Sequence, residues 1–222
     1  MAVKMFILGL PGSGKSTVSR YISDYIKKQG KDWPTRRIND YDVLYKMFKA
    51  DTEGKFAPTS HEGFDVFDLS VFDTALREME KEAQHLISTM KSTALIIMEF
   101  ARNDYLQSFK QFKRDFLQDA YFLFLNADIN ICKKRIVERV ANPKTEDDHF
   151  VSGYIFEAYY DKTDKDDGLR LSTNLQTEYG INDQRIKIIE NNGAYEDILE
   201  KINQFIDFIL KQEGGDLVAT NS

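Results

Sequence analysis

A glycine-rich turn between an apolar run and an amphipathic segment most restricts how this 222-residue chain can fold. Residues 3–8 form a short apolar run, typical of a strand that is covered on both faces. Residues 16–29 carry apolar side chains on one helical face, and Gly30 provides a stop signal. The turn therefore joins a buried strand directly to a helix, as at the start of a parallel α/β unit.

The alternation of strand-like and helix-like segments continues along the chain. Further strands are predicted at residues 35–39, 93–98, 120–125 and 185–190. Helical patterns occupy residues 42–50, 69–90, 104–118, 129–140 and 198–209. Residues 51–68 are polar and punctuated by glycine, which predicts a loop or a small hairpin. The alternation favours a parallel sheet with helices on both sides, in which ligands bind at the carboxyl ends of the strands.

Composition and charge exclude several classes of protein. A chain with 42% hydrophobic and 30% charged residues is an ordinary globular protein, and its apolar runs are far shorter than the roughly 18 residues that span a bilayer. The net charge of −6 leaves no broad basic surface for nucleic acid. Cys132 is the single cysteine, which excludes a disulfide framework or a cysteine metal cluster and indicates a reducing, cytoplasmic location.

Residues 9–16, Gly-Leu-Pro-Gly-Ser-Gly-Lys-Ser, match the Walker A pattern G-x-x-x-x-G-K-[ST] between the required strand and helix. Glycines allow backbone amides to face inward and the helix N-terminus adds its dipole, so the loop can hold a phosphate chain. In such a loop Lys15 reaches the β- and γ-phosphates, and the Ser16 hydroxyl binds Mg²⁺. The alternative, a connector with an incidental lysine, is disfavoured by the flanking strand and helix. The residues expected to contact the nucleotide are Gly9, Pro11, Gly12, Ser13, Gly14, Lys15, Ser16 and Thr17.

With this motif and this order of segments, the chain resembles P-loop proteins of the nucleoside and nucleotide kinase branch. The resemblance implies a three-layer α/β fold with a five-stranded parallel sheet of order 2-3-1-4-5, helices on both faces and a lid insertion. It also implies ATP, Mg²⁺ and a small-molecule acceptor, and the sequence lacks the N-K-x-D element that specifies guanine. We expect one domain over residues 1–212 with a lid near residues 140–168, followed by a disordered tail over residues 213–222.

Carboxylates stand at the ends of two predicted strands. Asp40 follows the second strand, where kinases of this kind carry an acid that accepts the substrate hydroxyl proton or orients Mg²⁺. A helix N-cap is the alternative role, and Asp42 fits that role better than Asp40. Glu99 ends an apolar run and resembles a Walker B acid with Glu in place of Asp, so it is the second predicted metal ligand beside Ser16. The alternative for Glu99 is a solvated carboxylate at the sheet edge.

Three arginines complete the predicted catalytic set. Arg102 follows Glu99 by three residues, which loosely resembles the Glu-Arg-Ser element of deoxynucleoside kinases, although the spacing differs. Arg135 and Arg139 share a helical face after the fourth strand, where nucleotide kinases carry arginines that stabilise charge on the transferred phosphoryl group. The alternative is a solvated basic face with Glu138 as an intrahelical partner. The catalytic residues predicted are Lys15, Asp40, Arg102, Arg135 and Arg139.

The acceptor is less well defined by the sequence. Phe56, Phe64 and Phe67 can stack on a base or close a small core beneath a loop. A phosphorylated acceptor needs several cationic side chains, and the region between Asp40 and Glu99 has few, most of them on helices. This weakens the case for such an acceptor. The basic residues of the region are Lys46, Lys49, Lys55, Arg77, Lys81 and Lys91.

Two functions remain open at this point. The first is an ATP- and Mg²⁺-dependent phosphotransferase that acts on a nucleoside, a nucleotide or a similar small acceptor. The second is a nucleotide-binding switch or ATPase that orders residues 142–168 for a partner. Phosphorylation of polynucleotide ends is disfavoured by the acidic net charge, and no membrane partner is expected.

Overall fold

A computed structural model describes residues 2–59, 63–145, 147–160 and 167–214, and it confirms the predicted α/β class. Within these ranges, five strands form one parallel sheet and two short strands form an antiparallel hairpin. The strands are β1 (Ala2–Leu8), β2 (Thr35–Asn39), β3 (Phe56–Pro58), β4 (Phe64–Val66), β5 (Ala94–Phe100), β6 (Tyr121–Asn126) and β7 (Ile186–Glu190).

The strand order of the parallel sheet is β2-β5-β1-β6-β7, which is 2-3-1-4-5 once the hairpin strands are left out of the numbering. The predicted order is therefore confirmed. In the register of the sheet, Glu99 on β5 lies beside Ile7 on β1 and beside Asn39 on β2. The carboxyl ends of these three neighbouring strands thus meet at one edge, directly beside the glycine-rich turn.

The helices follow the predicted alternation. They are α1 (Lys15–Lys28), α2 (Asp40–Ala50), α3 (Ser70–Thr89), α4 (Tyr105–Phe109), α5 (Arg114–Leu117), α6 (Ile129–Ala141), α7 (Gly153–Ile155), α8 (Asp167–Tyr179) and α9 (Glu196–Glu213). A π-helical turn, Phe156–Tyr160, continues α7, and a 3₁₀ turn, Asp183–Arg185, precedes β7.

The sheet separates two hydrophobic layers. On one face, α1 and α9 pack through apolar residues such as Ile22 and Ile202 against inward-facing residues of β1, β5 and β6. The other face carries the larger layer, to which α2, α3 and the elements between residues 105 and 181 contribute. Phe6 on β1 lies at the centre of that layer, with its ring stacked on Phe122 at a centroid distance of 5.2 Å. This arrangement is the three-layer architecture that was predicted.

Several segments differ from their sequence-based boundaries. Helix α2 begins at Asp40, because the Asn39 side chain accepts the Asp42 amide hydrogen and acts as the N-cap. Strand β5 extends to Phe100, so Glu99 lies inside the strand rather than at its end. The helix predicted over residues 104–118 is divided into α4 and α5. Helix α8 was not predicted, because it buries only a narrow stripe with Leu171 and Leu175 among polar residues.

Parts of the predicted lid and tail lie outside the described residues. These parts are residue 146 and residues 161–166 of the lid, and residues 215–222 of the tail. The extent of the domain and the cytoplasmic location stay predictions. None of the helices in the described ranges combines the length and the apolar character needed to cross a membrane.

Candidate active site

The predicted phosphate loop connects β1 to the N-terminus of α1. Gly12 adopts φ 82°, and a methyl group at this position would lie 2.5 Å from the carbonyl oxygen of Cys132. The loop is also held from outside, since the Gly9 amide donates to the Tyr105 hydroxyl and the Asn191 side-chain amide donates to the Ser13 carbonyl, each at 2.8 Å. Close packing at Gly12 and the hydrogen bonds with Tyr105 and Asn191 therefore fix the loop backbone next to the N-terminus of α1 and its positive dipole end.

Lys15 lies folded over this loop. Its ammonium group donates to the Gly9 carbonyl at 2.8 Å and to the Leu10 carbonyl at 3.0 Å. Burial lowers the pKa of Lys15 to about 8, although the carboxylates of Asp40 and Glu99 oppose this shift. The Lys15 ammonium group is thus buried, bonded to two backbone carbonyls and influenced by two carboxylates.

Ser16 and Glu99, the two predicted metal ligands, are in direct contact. The Ser16 hydroxyl donates to Glu99 Oε2 at 2.9 Å, and the Glu99 side chain is only 2% exposed. Burial raises the pKa of Glu99, while the Arg37 guanidinium and the Ser16 hydroxyl act in the opposite direction. A solvated carboxylate at the sheet edge, the alternative for Glu99, does not agree with this burial.

Arg37 links Glu99 to the segment that follows α6. Its Nε lies 3.0 Å from Glu99 Oε1, and its Nη1 donates to Asp147 Oδ2 at 3.0 Å. Asp147 also pairs with Arg20 on α1. Burial raises the pKa of Asp147, but the hydrogen bond and charge of Arg37, together with the charge of Arg20, outweigh it and leave that pKa below its usual value. An ion-pair chain therefore connects β5, β2, α1 and the segment after α6.

Asp40 and Arg102 form an ion pair in which the Arg102 side chain is buried and the Asp40 side chain is partly exposed. Arg102 Nη1 pairs with Asp40 Oδ2, and the Ala101 amide also lies 3.4 Å from this oxygen. Arg102 is 1% exposed, donates to the carbonyls of Ala101 and Phe72, and lies over the Phe72 ring at 4.9 Å. Asp40 lines the main cavity described below, whereas Arg102 lies beneath it and does not. Arg102 thus contacts the predicted base rather than the cavity.

Arg135 and Arg139 lie on one face of α6, as predicted, and both line the main cavity. Arg135 donates to the carbonyls of Asn191 and Gly193 at 3.0 and 3.1 Å. Arg139 donates to the His149 carbonyl at 2.9 Å, and burial lowers its pKa. Glu138, the alternative partner, lies instead 3.8 Å from Lys134.

The main cavity has a volume of about 350 Å³ and joins the phosphate loop to an apolar surface. Its loop side includes Gly12, Lys15 and Ser16, and Asp40 and Glu99 lie in its lining. Its lining also includes six apolar residues that lie far from the loop in the sequence, here called the acceptor wall: Leu44, Phe64, Val66, Phe72, Val151 and Ile155. One continuous space therefore contacts the loop, the acids and the apolar wall.

A side cavity of about 290 Å³ adjoins the main cavity, since Gly14, Thr17 and Arg135 line both. It is lined by Gly14, Thr17, Arg135, Asn191, Gly193 and Tyr195. The turn that follows β7 contributes Asn191 and Gly193 to this lining, so it lies beside Thr17 of α1 and Arg135 of α6.

The three predicted stacking residues of the hairpin region have different positions. Phe64 lies in the acceptor wall and stacks on Phe48 at 5.3 Å. Phe56 is buried and packs edge-on against Phe64, so it closes the small core beneath the loop. Phe67 is 61% exposed and does not line the cavity.

Sequence reasoning missed three charged residues of this site: Arg20, Arg37 and Asp147. For Arg37 a signal existed, because residues two apart on a strand share a face, and Arg37 and Asn39 therefore point away from buried Ile38. Arg20 follows the phosphate loop on α1, but nothing in the local sequence indicates its partner. Asp147 has no local signal, since its contacts are with residues more than 100 positions away.

Comparison with known proteins identifies the family. Residues 5–158 match the protein family described as AAA domain, which is more than half of the chain. The chain belongs to the AAA domain family. This family is one of P-loop NTPases, so the predicted resemblance to P-loop proteins is confirmed. None of the curated protein sequences matches the chain significantly.

Solved structures share the fold of this AAA domain protein at low identity. Kti12 from Chaetomium thermophilum, in complex with ADP-AlF3, is 15% identical with a TM-score of 0.56, over 94% of this chain and 97% of that one. APE1195 is 14% identical with a TM-score of 0.51, again over 94% and 97%. Shikimate kinase from Acinetobacter baumannii, in complex with shikimate, is 14% identical with a TM-score of 0.48, over 96% of each chain. For Kti12 and APE1195 the likeness establishes the fold alone.

Proposed function

We propose that this AAA domain protein is an ATP- and Mg²⁺-dependent phosphotransferase that acts on a small hydroxyl-bearing acceptor. The observation that carries the proposal is the main cavity, in which the phosphate loop and the acceptor wall face one space with Asp40 in its lining. A protein that only binds or hydrolyses the nucleotide needs room for a water molecule beside the γ-phosphate. The cavity continues from the phosphate loop, where the triphosphate would bind, to an apolar wall, and this continuation favours an acceptor larger than water.

The phosphate loop and Lys15 hold the triphosphate in this proposal. Backbone amides of the loop and the N-terminus of α1 bind the phosphate oxygens, and the Lys15 ammonium moves from its loop carbonyls to the β- and γ-phosphates. Arg135 and Arg139 face the same cavity and stabilise negative charge on the transferred group. The nucleotide base occupies the side cavity beside Asn191.

Ser16 and Glu99 are the residues that would hold Mg²⁺. Hydroxyl and carboxylate oxygens are the ligands this ion prefers, and the two groups are 2.9 Å apart at the cavity. In the described part of the chain, no cluster of three or more His, Cys, Asp or Glu side chains could hold a metal ion. Two protein oxygens still fit Mg²⁺, because it usually retains several waters and phosphate oxygens. When bound, it neutralises charge on the β- and γ-phosphate oxygens.

Asp40 is the proposed general base. The acceptor hydroxyl oxygen attacks the γ-phosphorus, the bond from that phosphorus to the β–γ bridging oxygen breaks, and the hydroxyl proton passes to Asp40 while ADP leaves. Arg102 and the Ala101 amide both bond Oδ2. We therefore assign Oδ1 to the acceptor hydroxyl and assign Arg102 to positioning of Asp40, rather than to contact with the substrate.

The test is an acceptor screen with the purified protein, ATP, Mg²⁺ and pooled metabolites. Mass spectrometry should detect an acceptor whose mass increases by one phosphoryl group, in proportion to the ADP formed, and Lys15→Ala should abolish both signals. ADP and inorganic phosphate formed without any phosphorylated acceptor would overturn the proposal and support the switch or ATPase alternative. Nucleotide-dependent binding of a protein partner would then be the next measurement.

A further inference from the structure

The elements that supply the acceptor wall place no cation among the described residues that line the main cavity. These elements are α2, β4, α3, α7 and the segment before α7, and the charged side chains that they do place in the lining are all acidic: Asp40, Asp147 and Asp148. We infer, on the basis of the proposed phosphotransfer, that the acceptor is an uncharged hydroxyl compound with a flat aromatic ring, such as a nucleoside. A phosphorylated or carboxylated acceptor does not fit this wall.

The six basic residues between Asp40 and Glu99 are the cations nearest in sequence to the acceptor elements. None of them lines the main cavity in the part of the chain that the structure describes. Several have other contacts: Lys55 pairs with Glu53 at 2.7 Å, Lys81 pairs with Glu78 at 2.6 Å, and Lys49 lies over the Tyr45 ring at 5.0 Å. The acceptor elements therefore offer no cation to an acceptor phosphate.

The cations that do line the cavity belong to the nucleotide side. They come from α1 and α6 only: Lys15, Arg20, Arg135 and Arg139. Arg20 is paired with Asp147, and Arg135 is bonded to the turn after β7. A bound triphosphate would use Lys15 and the exposed parts of the α6 arginines. The cation that remains, Arg20, is already paired with Asp147.

Carboxylates are the other charged groups of the cavity. Four of them line it: Asp40, Glu99, Asp147 and Asp148. Asp40, Glu99 and Asp147 are paired with arginines, so these arginines are already engaged. An anionic acceptor would lie beside these acids without a cation of its own, and an unpartnered charge of this kind disfavours the wrong substrate.

Aromatic rings supply a surface for a flat group. Phe64 in the wall stacks on Tyr41 at 5.4 Å with an interplanar angle of 22°. Tyr41 in turn stacks on the His149 imidazole at 3.5 Å, and both rings line the cavity. Burial, followed by the charge of Arg139, lowers the pKa of His149 to about 3, so this ring is neutral at pH 7. A flat uncharged ring can pack against such a surface, whereas a compact anion gains little there.

The first experiment compares neutral and anionic acceptors in matched pairs, with ATP and Mg²⁺ present: thymidine and its 5′-monophosphate, adenosine and its 5′-monophosphate, and glucose and gluconate. We expect kcat/KM for the neutral nucleoside to exceed that for its monophosphate by at least about tenfold, and both nucleosides to exceed glucose. Equal or better use of the anionic members, or preference for glucose, would overturn this inference and leave phosphotransfer intact. Failure of all six acceptors would overturn this inference alone if the pooled screen still yields a phosphorylated product, and would overturn it together with the proposed function if that screen yields none.

The second experiment tests the wall itself. Phe64→Leu should raise KM for the preferred nucleoside about tenfold, because the mutation removes a ring that lines the cavity and that orders Tyr41 by stacking, while KM for ATP changes less than about twofold. Phe64→Tyr keeps the ring and should restore KM. Phe67→Leu is the matched control, since Phe67 is an exposed phenylalanine of the same region that does not line the cavity. Equal KM values for Phe64→Leu and Phe67→Leu, or no restoration by Phe64→Tyr, would overturn the assignment.

Discussion

The two ends of the main cavity are built in different ways. The phosphate end is one continuous stretch, residues 9–17, supported by single side chains such as Glu99 and Arg139. The acceptor end collects its residues from α2, β4, α3 and the segment around α7, which are far apart in the sequence. Among the described residues, all of the cavity's cations come from α1 and α6, and the elements of the acceptor end contribute none.

This difference separates two tasks of the proposed reaction. Binding a phosphate chain requires a fixed arrangement of backbone amides, which a short local motif can encode. Recognising an acceptor requires shape and charge, which depend on how remote elements pack. Variants at the phosphate end should therefore affect every acceptor equally, whereas variants at the acceptor end should change which acceptor is used.

The largest effect is expected for Lys15→Ala. Loss of the ammonium group removes a donor to the transferred phosphoryl group and should lower kcat/KM about a thousandfold with every acceptor. The rate of ADP formation measures this loss, and the thermal midpoint should not decrease. Lys28→Ala, at the exposed last turn of the same helix, serves as control. A loss that depended on the acceptor would contradict the separation of the two ends.

Asp40→Asn should lower kcat about a hundredfold, because the amide cannot accept the acceptor proton. KM for ATP should change less than about threefold, which steady-state kinetics can measure. Asp42→Asn is a matched control, since Asp42 lies two residues further along α2 and does not line the cavity. Unchanged kcat in Asp40→Asn would show that Asp40 has no role as the base.

Gly12→Ala should weaken ATP binding by about a hundredfold, as measured by calorimetry, since the new methyl group would meet the Cys132 carbonyl and displace the loop. Gly54→Ala is the control variant: it also places a methyl group at a positive φ, but without a close contact. Gly54 has a similar φ of 74°, but no atom lies within 4 Å of an added methyl group. Equal ATP affinity in the two variants would mean that the close contact at Gly12 does not shape the loop.

The smallest effect is expected from pH. Burial lowers the pKa of Lys15 to about 8 in the free protein, and a bound triphosphate would raise it, so binding above pH 8 takes up a proton. ATP affinity measured in EDTA should stay constant between about pH 7.5 and 8, then fall by up to about tenfold per pH unit. Lys15→Ala should remove this slope. A slope that persists in the variant would assign the titration to another group.

Most of the fold was predictable because its signals are local. Short apolar runs and helical stripes gave the sheet strands and most helices, and the resemblance supplied the strand order that was confirmed. Helix α8 was missed because Leu171 and Leu175 form only a narrow apolar stripe. The true N-cap of α2 is Asn39, which competes with two nearby aspartates for that role in the sequence.

Only the residues around the phosphate loop could be predicted from the sequence as part of the candidate site. Lys15, Asp40, Glu99, Arg135 and Arg139 all line the cavity. Arg102 was selected from its spacing to Glu99, but its side chain turns beneath Asp40, where it bonds two carbonyl oxygens and lies over Phe72. The spacing between Glu99 and Arg102 cannot show whether the Arg102 side chain points into the cavity or away from it, because packing against residues remote in the sequence sets its orientation.

The amino-acid sequence by itself determined the phosphate loop, the alternation of elements and the meeting of acids at the strand ends. Each of these depends on neighbours within a few residues or on the direction of a parallel strand. Only the tertiary structure decided that Arg37 and Arg20 hold Asp147, and that an uncharged aromatic wall faces the loop. Those contacts join residues more than 100 positions apart, and such pairs are chosen by the packing of whole elements rather than by local propensity.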